Sequence, residues 1–231
     1  MTLAFLYIVW KPFVSEAFVI PTNAMAPTLL GLHQEDACPE CGSIAYFSRP
    51  EPILPEREQP PINMICERFH VHPAPSTSKP IDVGDRIVVA KYLKPRRWDL
   101  IVFRFPADAT QTYVKRLVGL PGEEVVVKDG NVWADGRRLE PPAELAGIEY
   151  LNAFPEEEFG PHIKVAGTED NPARLGDDEY FVLGDFSAQS YDSRLWMEGA
   201  AGHPPYSVPH ENLIGVVTTI YWPRERWRSF R

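Results

Sequence analysis

Basic residues are in short supply in this chain. Twenty-three Lys and Arg stand against 32 Asp and Glu, a formal charge of −9 over 231 residues. A surface of that balance has little with which to neutralise a phosphate backbone, so no nucleic acid is expected as a partner. Long apolar runs are lacking too. The stretch LAFLYIVW at 3–10 stops at Lys11, whereas a membrane-spanning helix needs about 20 apolar residues. Pro12 follows, and the next run, FVSEAFVI, carries Glu16 in its middle. No charged stretch precedes the first run, so it does not read as an ordinary cleavable leader. The alternatives for 1–20 are a segment lying on a membrane surface and a first core strand or helix. Cysteine is scarce: Cys38, Cys41 and Cys66 are the full set. There is no internal repeat and no helix-turn-helix pattern.

Proline, by contrast, is abundant. The 24 prolines are about twice the usual share of roughly 5%. Proline removes a backbone donor and breaks helices, so the composition leans towards strands and loops. Hydrophobic residues make up 44%, enough for a packed core. The length suits one large domain, or a core carrying an inserted subdomain. Ile87–Ala90, Leu100–Phe105 and Val114–Leu120 are rich in β-branched and aromatic residues and read as strands. Val125–Lys128 and Asn131–Ala134 flank Asp129-Gly130, a hairpin signal because glycine accepts positive φ. Tyr180–Leu183 and Leu213–Trp222 read as closing strands. Two stretches break the pattern. Residues 36–80 hold all three cysteines and a crowd of prolines, and 137–177 are polar and weakly periodic. The acidic residues gathered around 140–180 read as a solvated face. The expected architecture is mostly β, a Greek-key or barrel-like core with two irregular insertions.

Three strings hold the residues suited to chemistry. They are PTNAMAPTL at 21–29, YVKRLVGLPGE at 113–123 and GDFSAQSYDSR at 184–194. In the second, Lys115 shares a strand face with Tyr113 and Leu117, while Arg116 lies with Val114 and Val118. Either Lys115 and Arg116 are solvated edge charges, or the strand is buried on both faces. In the buried case low dielectric disfavours the ammonium, and the usual lysine pKa of about 10.4 falls towards the range of a general base.

Taken in order, the three strings resemble those of type I signal peptidases. That family carries a loop of the form P-S/T-x-S-M-x-P-T-L, with the catalytic serine directly before the methionine. A further pair, GDRIVVAKY at 84–92 and WDLIVFRFP at 98–106, is similar to the family's strand pair between the first two boxes. Trp98 stands where a glycine is common, and Phe186 where an asparagine is usual. The resemblance implies Lys115 as general base, Thr22 as an oxyanion-hole donor and Ser190 as the hydroxyl that orients the lysine. Met25, Pro27, Asp192 and Arg194 shape the surroundings. The nucleophile position falls on Ala24, and a methyl group cannot attack a carbonyl. A slip in register to Asn23 or Ala26 does not rescue it, because neither is a nucleophile.

The resemblance further implies a division of the chain. Residues 1–20 form a membrane-associated segment, 21–35 the nucleophile loop, 36–80 the Cys/Pro-rich insert, 81–136 the core strands with the base, 137–177 a variable second lobe and 178–231 the closing strands. The family is anchored by an N-terminal helix ending shortly before the loop. Residues 3–20 sit where that helix would end, as a remnant or with the true start upstream of Met1. The implied activity is a serine–lysine endopeptidase that needs no cofactor for catalysis. It removes signal peptides from exported preproteins at the bacterial cytoplasmic membrane, with membrane lipid as a partner and the core on the extracytoplasmic face. The alternative is an inactive relative that binds peptides or a partner. A self-cleaving repressor, similar in catalytic fold, is disfavoured by the acidic charge and the missing helix-turn-helix.

Cys38-Pro-Glu-Cys41-Gly42 is a separate signal. Two thiols two residues apart before a glycine form a metal-knuckle pattern, and zinc takes four ligands. Cys66 supplies a third, and His70 or His72 the fourth. A Cys38–Cys41 disulfide and free thiols are the competing readings. A proline-rich insert without its own core needs a staple, which favours one structural zinc.

Overall fold

The computed structural model describes residues 14–48, 62–75, 79–154 and 164–231. The apolar run at 3–10 lies outside them. The strands are, in chain order, β1 (Ser15–Val19), β2 (Gln34–Ala37), β3 (Ile44–Phe47), β4 (Asn63–Cys66), β5 (Val71–Pro73), β6 (Arg86–Ala90), β7 (Leu100–Phe105) and β8 (Asp108–Gly119). They continue with β9 (Glu124–Lys128), β10 (Asn131–Ala134), β11 (Arg137–Arg138), β12 (Ala173–Arg174), β13 (Glu179–Leu183), β14 (Val208–Pro209), β15 (Leu213–Trp222) and β16 (Arg228–Ser229). The mostly β, antiparallel architecture expected from the sequence is the one found.

The main sheet runs β1-β6-β15-β7-β8-β13-β14, with β16 added alongside β15. Its strands bury apolar side chains on both faces. Leu100, Val102, Ile87, Val89 and Val217 form one cluster with Met25 and Leu29, and Ile101, Phe103, Leu117, Val182 and Val216 form another. This two-sided burial is what the near-continuous apolar stretches at 100–105 and 213–220 call for. β8 is longer than expected. It begins at Asp108 because a tight turn folds β7 straight back on it, pairing Phe105 with Asp108. β1 pairs with β6 from Ser15↔Ala90 to Val19↔Arg86. The second apolar run is therefore an edge strand of the core, the core-strand alternative for that part of 1–20.

A second sheet, β11-β10-β9-β12, packs its apolar face into a cluster with Val118, Phe181 and Leu183. Asp129 and Gly130 have φ of 50° and 74°, as a two-residue hairpin with positive φ at both positions requires. The described parts of 137–177 contribute Leu145, Ile148, Tyr150, Ala173 and Leu175 to the same cluster, so this lobe is part of the core.

The described residues of 36–80 are less irregular than expected. β2-β3 and β4-β5 are two hairpins joined edge to edge into a four-stranded sheet. The expected boundary at 36 falls inside β2. Strands of three or four residues interrupted by prolines leave no period to read, which is why the pattern hid them.

Candidate active site

Lys115 and Arg116 are both buried, at 6% and 5% exposure, so the solvated-edge reading of these charges is excluded. Each occupies one face of β8. Arg116 is held by Asp185 through two bonds, Nε to Oδ1 at 2.7 Å and Nη2 to Oδ2 at 2.5 Å. Its Nη1 donates to the Trp98 carbonyl at 2.6 Å. The Thr28 hydroxyl donates to the same carboxylate at 2.5 Å. Asp185 thus joins three elements: the loop at 21–29, β8 and the turn after β13. Trp98 has φ of 71°, the left-handed region that a glycine would occupy without strain.

Lys115 lies on the other face, its amine 5.7 Å from the centre of the Tyr113 ring. Burial pulls it down from the ordinary lysine range to about 8. The Arg194 charge pushes the same way, while Asp192 and Asp185 oppose it. A buried amine of this kind is largely stripped of its proton in mildly alkaline solution, as a general base requires.

β13 pairs Leu183 with Arg116. The next residues along the two strands are Gly184 and Lys115. Gly184 is enclosed: a Cβ there would collide with the Ser190 hydroxyl and lie 2.6 Å from the Ala24 carbonyl oxygen. That carbonyl accepts a bond from the Phe186 N–H at 3.1 Å. Ala24, Gly184 and Ser190, from two distant stretches of sequence, are therefore brought together at the end of β13. The Ser190 hydroxyl is buried and has no hydrogen-bond partner among the described residues. The bond from Ser190 to Lys115 that the family resemblance implies is not made here. Thr22 is exposed, two residues before Ala24.

The loop at 21–29 is a run of turns, with Ala26 N–H donating to Asn23 O and Leu29 N–H to Met25 O, both at 2.9 Å. Met25 and Leu29 anchor it in the core, and Pro27 is half-buried. The Asn23 side chain bridges its ends, donating to Leu32 O at 2.9 Å and accepting from Gly31 N–H at 2.8 Å. Asp85 accepts from Leu30 N–H at 2.8 Å, and Arg226 pairs with Asp85 while reaching the carbonyls of Pro27 and Thr28.

Asp192 and Arg194 are fully buried and paired, with Nε to Oδ1 at 2.8 Å and Nη2 to Oδ2 at 2.6 Å. Asp192 also accepts from Gly184 N–H at 2.9 Å, and Arg194 donates to the Leu151 carbonyl and the Ser187 hydroxyl. The pair is the scaffold of this turn. Sequence reasoning missed Thr28, Asp185, Arg116, Asp85 and Arg226 as a connected set. Asp185 and Thr28 stood inside the quoted strings, but nothing local marks them as partners across 157 positions.

Comparison with known proteins gives the family. The family model described as signal peptidase, peptidase S26, matches residues 62–222, which includes the lysine string and the last string but not 21–29. The chain is 34% identical over 166 residues to a signal peptidase I of Leptolyngbya laminosa, covering 67% of this chain and 68% of that protein. It is 32% identical over 164 residues to a probable signal peptidase I-2 of Synechocystis, covering 67% of this chain and 62% of that relative's length. A signal peptidase I crystal structure from Enterococcus faecalis is 30% identical, covers 55% of this chain and 98% of that one, and has a TM-score of 0.39. The chain belongs to the signal peptidase family, peptidase S26.

Proposed function

We propose that this protein is built as a signal peptidase I-like serine–lysine endopeptidase acting on the leader peptides of exported proteins, and that in this chain hydrolysis is impaired because Ala24 occupies the nucleophile position. The observation that carries the reading is Lys115: a buried lysine, lowered to about 8, next along β8 from the residue paired with Leu183, where Gly184 brings Ala24 and Ser190 together.

In such a site the neutral Lys115 amine accepts the proton of a hydroxyl at position 24 as its oxygen attacks the scissile carbonyl. The resulting ammonium returns the proton to the leaving amine, and an acyl ester remains for water to hydrolyse. Thr22 would donate to the developing oxyanion, and Ser190, whose hydroxyl is uncommitted, would turn towards the amine as substrate closes the site. With a methyl at position 24, binding and base remain and bond-making is lost. That observation favours a second reading, an inactive relative that holds leader peptides.

Membrane association and an extracytoplasmic location belong to the same proposal. No helix among the described residues is long and apolar enough to cross a membrane. Flotation with liposomes tests the association directly, and a chain that stays in solution removes it.

The decisive test is Ala24→Ser, assayed on a leader peptide with small residues at the first and third positions before the bond. Loss of a nucleophile from such a unit lowers turnover by about a million-fold, so a large gain is expected. Ala24→Ser with Lys115→Ala should be as inactive as the chain with Ala24. Normal cleavage by the unaltered chain would place the nucleophile elsewhere. A folded but inert Ala24→Ser variant that still binds leader peptides would establish the second reading.

A further inference from the structure

The hairpin turns at 38–42 and 66–70 face each other and present four donor atoms to one point. The sulfurs of Cys38, Cys41 and Cys66 and a ring nitrogen of His70 all lie within 4.8 Å of one another. All three thiols are free, so the Cys38–Cys41 disulfide weighed from the sequence is absent. The Cys41 and Cys66 sulfurs are 3.8 Å apart, far from the ~2.05 Å of a disulfide bond. Cys38 Sγ lies 3.9 Å from His70 Nδ1. A tetrahedral zinc with ~2.3 Å bonds to sulfur and ~2.0 Å to nitrogen has edges of about 3.8 Å between sulfurs and about 3.5 Å from sulfur to nitrogen. These two spacings match the edges of such a tetrahedron to within a few tenths of an ångström, and all four atoms lie within 4.8 Å of one another.

The surroundings support the same ligand set. In the first turn Cys38 N–H donates to Ser43 O at 2.8 Å and Gly42 N–H to Cys38 O at 2.9 Å, with Gly42 at φ 72°. In the second, Cys66 N–H donates to His70 O at 3.1 Å and Phe69 N–H to Cys66 O at 2.9 Å, with Phe69 at φ 65°. Both turns thus reverse the chain by the same device, and each offers a donor at its start and another three or four residues on. Polar groups approach two of the sulfurs from behind: Arg68 N–H donates to Cys66 Sγ at 3.4 Å, and the Ser43 hydroxyl lies 3.0 Å from Cys41 Sγ. The Glu40 carboxylate stands 3.4 Å from His70 Nε2. A carboxylate there holds the proton on Nε2 and leaves the Nδ1 lone pair for a metal. His72 also faces Glu40, through Nε2 at 3.4 Å, and is not part of the four-atom cluster.

We propose that Cys38, Cys41, Cys66 and His70 bind one Zn²⁺ as a closed, structural site. Thiolates and imidazole are zinc's preferred donors, and four protein ligands leave no open position for water or substrate. The site has work to do in the fold. The apolar cluster beneath it consists of Cys38, Ala45, Phe47, Met64 and Cys66 with three partly buried neighbours, too small to order two short hairpins unaided. Beyond it, Tyr46, Ile65 and Phe69 pack in the cluster that holds Ala26 and Leu30, and Ser48 Oγ accepts from the Asn23 side chain at 2.9 Å. The metal therefore secures the wall against which the loop at 21–29 is built. None of this depends on whether the chain cleaves peptides.

The test uses the purified full chain and no activity assay. Elemental analysis should find about one zinc per chain. Zinc added to chelator-treated protein should protect all three thiols from alkylation, and cobalt in its place should give the visible absorption of a tetrahedral thiolate site. Cys66→Ser should abolish the bound metal, and His72→Ala should retain it. Glu40→Gln should keep the site but weaken zinc by about 10–100-fold. If Cys66→Ser does not fold, the alkylation and cobalt measurements on the unaltered chain decide. A chain without metal whose three thiols react equally with and without zinc overturns the proposal. So does zinc that persists undiminished in folded Cys66→Ser, which would place it elsewhere, for instance at His33, Glu35 and Asp82.

Discussion

At Lys115 burial outweighs the opposing charges of Asp192 and Asp185, and its lowered affinity for a proton has two measurable consequences. Restored cleavage in Ala24→Ser should rise with pH through a midpoint near 8 and then level off, because only the neutral amine accepts the hydroxyl proton. Stability should respond as well. The folded value is below the unfolded one, so between about 8 and 10.5 the unfolded chain holds more protons and stability rises with pH across that window. Below pH 8 both states carry the proton and the full penalty of burying a charge remains. Lys115→Met should remove this slope, and urea midpoints measured on either side of pH 8 would detect it. The sequence pointed to Lys115 and Ala24 through strings that carry the resemblance when taken together in order. It did not reveal that Lys115 is buried, since alternation in β8 is equally consistent with an edge strand.

Among the elements, the turn after β13 and the loop at 21–29 are bound through one carboxylate. Asp185 holds both Arg116 and Thr28, and all three are buried. The partners differ in what their loss should cost. Asp185→Ala leaves a buried guanidinium unpaired and should destabilise by about 3–5 kcal/mol. Thr28→Val leaves the ion pair in place and removes one bond to a charged acceptor, about 1–3 kcal/mol. Chemical denaturation of the two variants would measure the difference, and equal losses would mean that the carboxylate is not shared as described. At this scale hairpins were the most legible part of the sequence. Asp129-Gly130 announces itself because few residues tolerate positive φ. The hairpins β2-β3 and β4-β5 did not, because strands of three or four residues interrupted by prolines leave no hydrophobic period to read.

Across the molecule, the C-terminal stretch closes the fold over the same loop. Arg226 pairs with the fully buried Asp85, 141 positions earlier, and reaches the carbonyls of Pro27 and Thr28. The Tyr46 ring lies 5.8 Å from its guanidinium. Arg226→Ala should therefore destabilise the whole chain by about 3 kcal/mol, since it leaves the buried Asp85 side chain without its ion-pair partner and with the Leu30 N–H as its one remaining hydrogen-bond donor among the described residues. It should also loosen residues 21–30 selectively, seen as faster amide exchange there than in β7 or β15. Unchanged exchange and an unchanged denaturation midpoint would show the clamp to be idle.

The amino-acid order by itself determined the class of fold, the strands, the family and the residues suited to chemistry, because strand propensity, positive-φ turns and contiguous motifs are properties of short stretches. Tertiary structure alone decided which of those residues meet. Whether Lys115 loses its proton depends on β7 and β13 enclosing β8. Whether Asp192 and Arg194 form a surface turn or a buried scaffold depends on Leu151 and Ser187 lying over them. Whether Cys38 and Cys66 are stray thiols or neighbours depends on two hairpins meeting edge to edge. Each outcome rests on contacts between residues far apart in the chain, and short-range pattern carries no record of them.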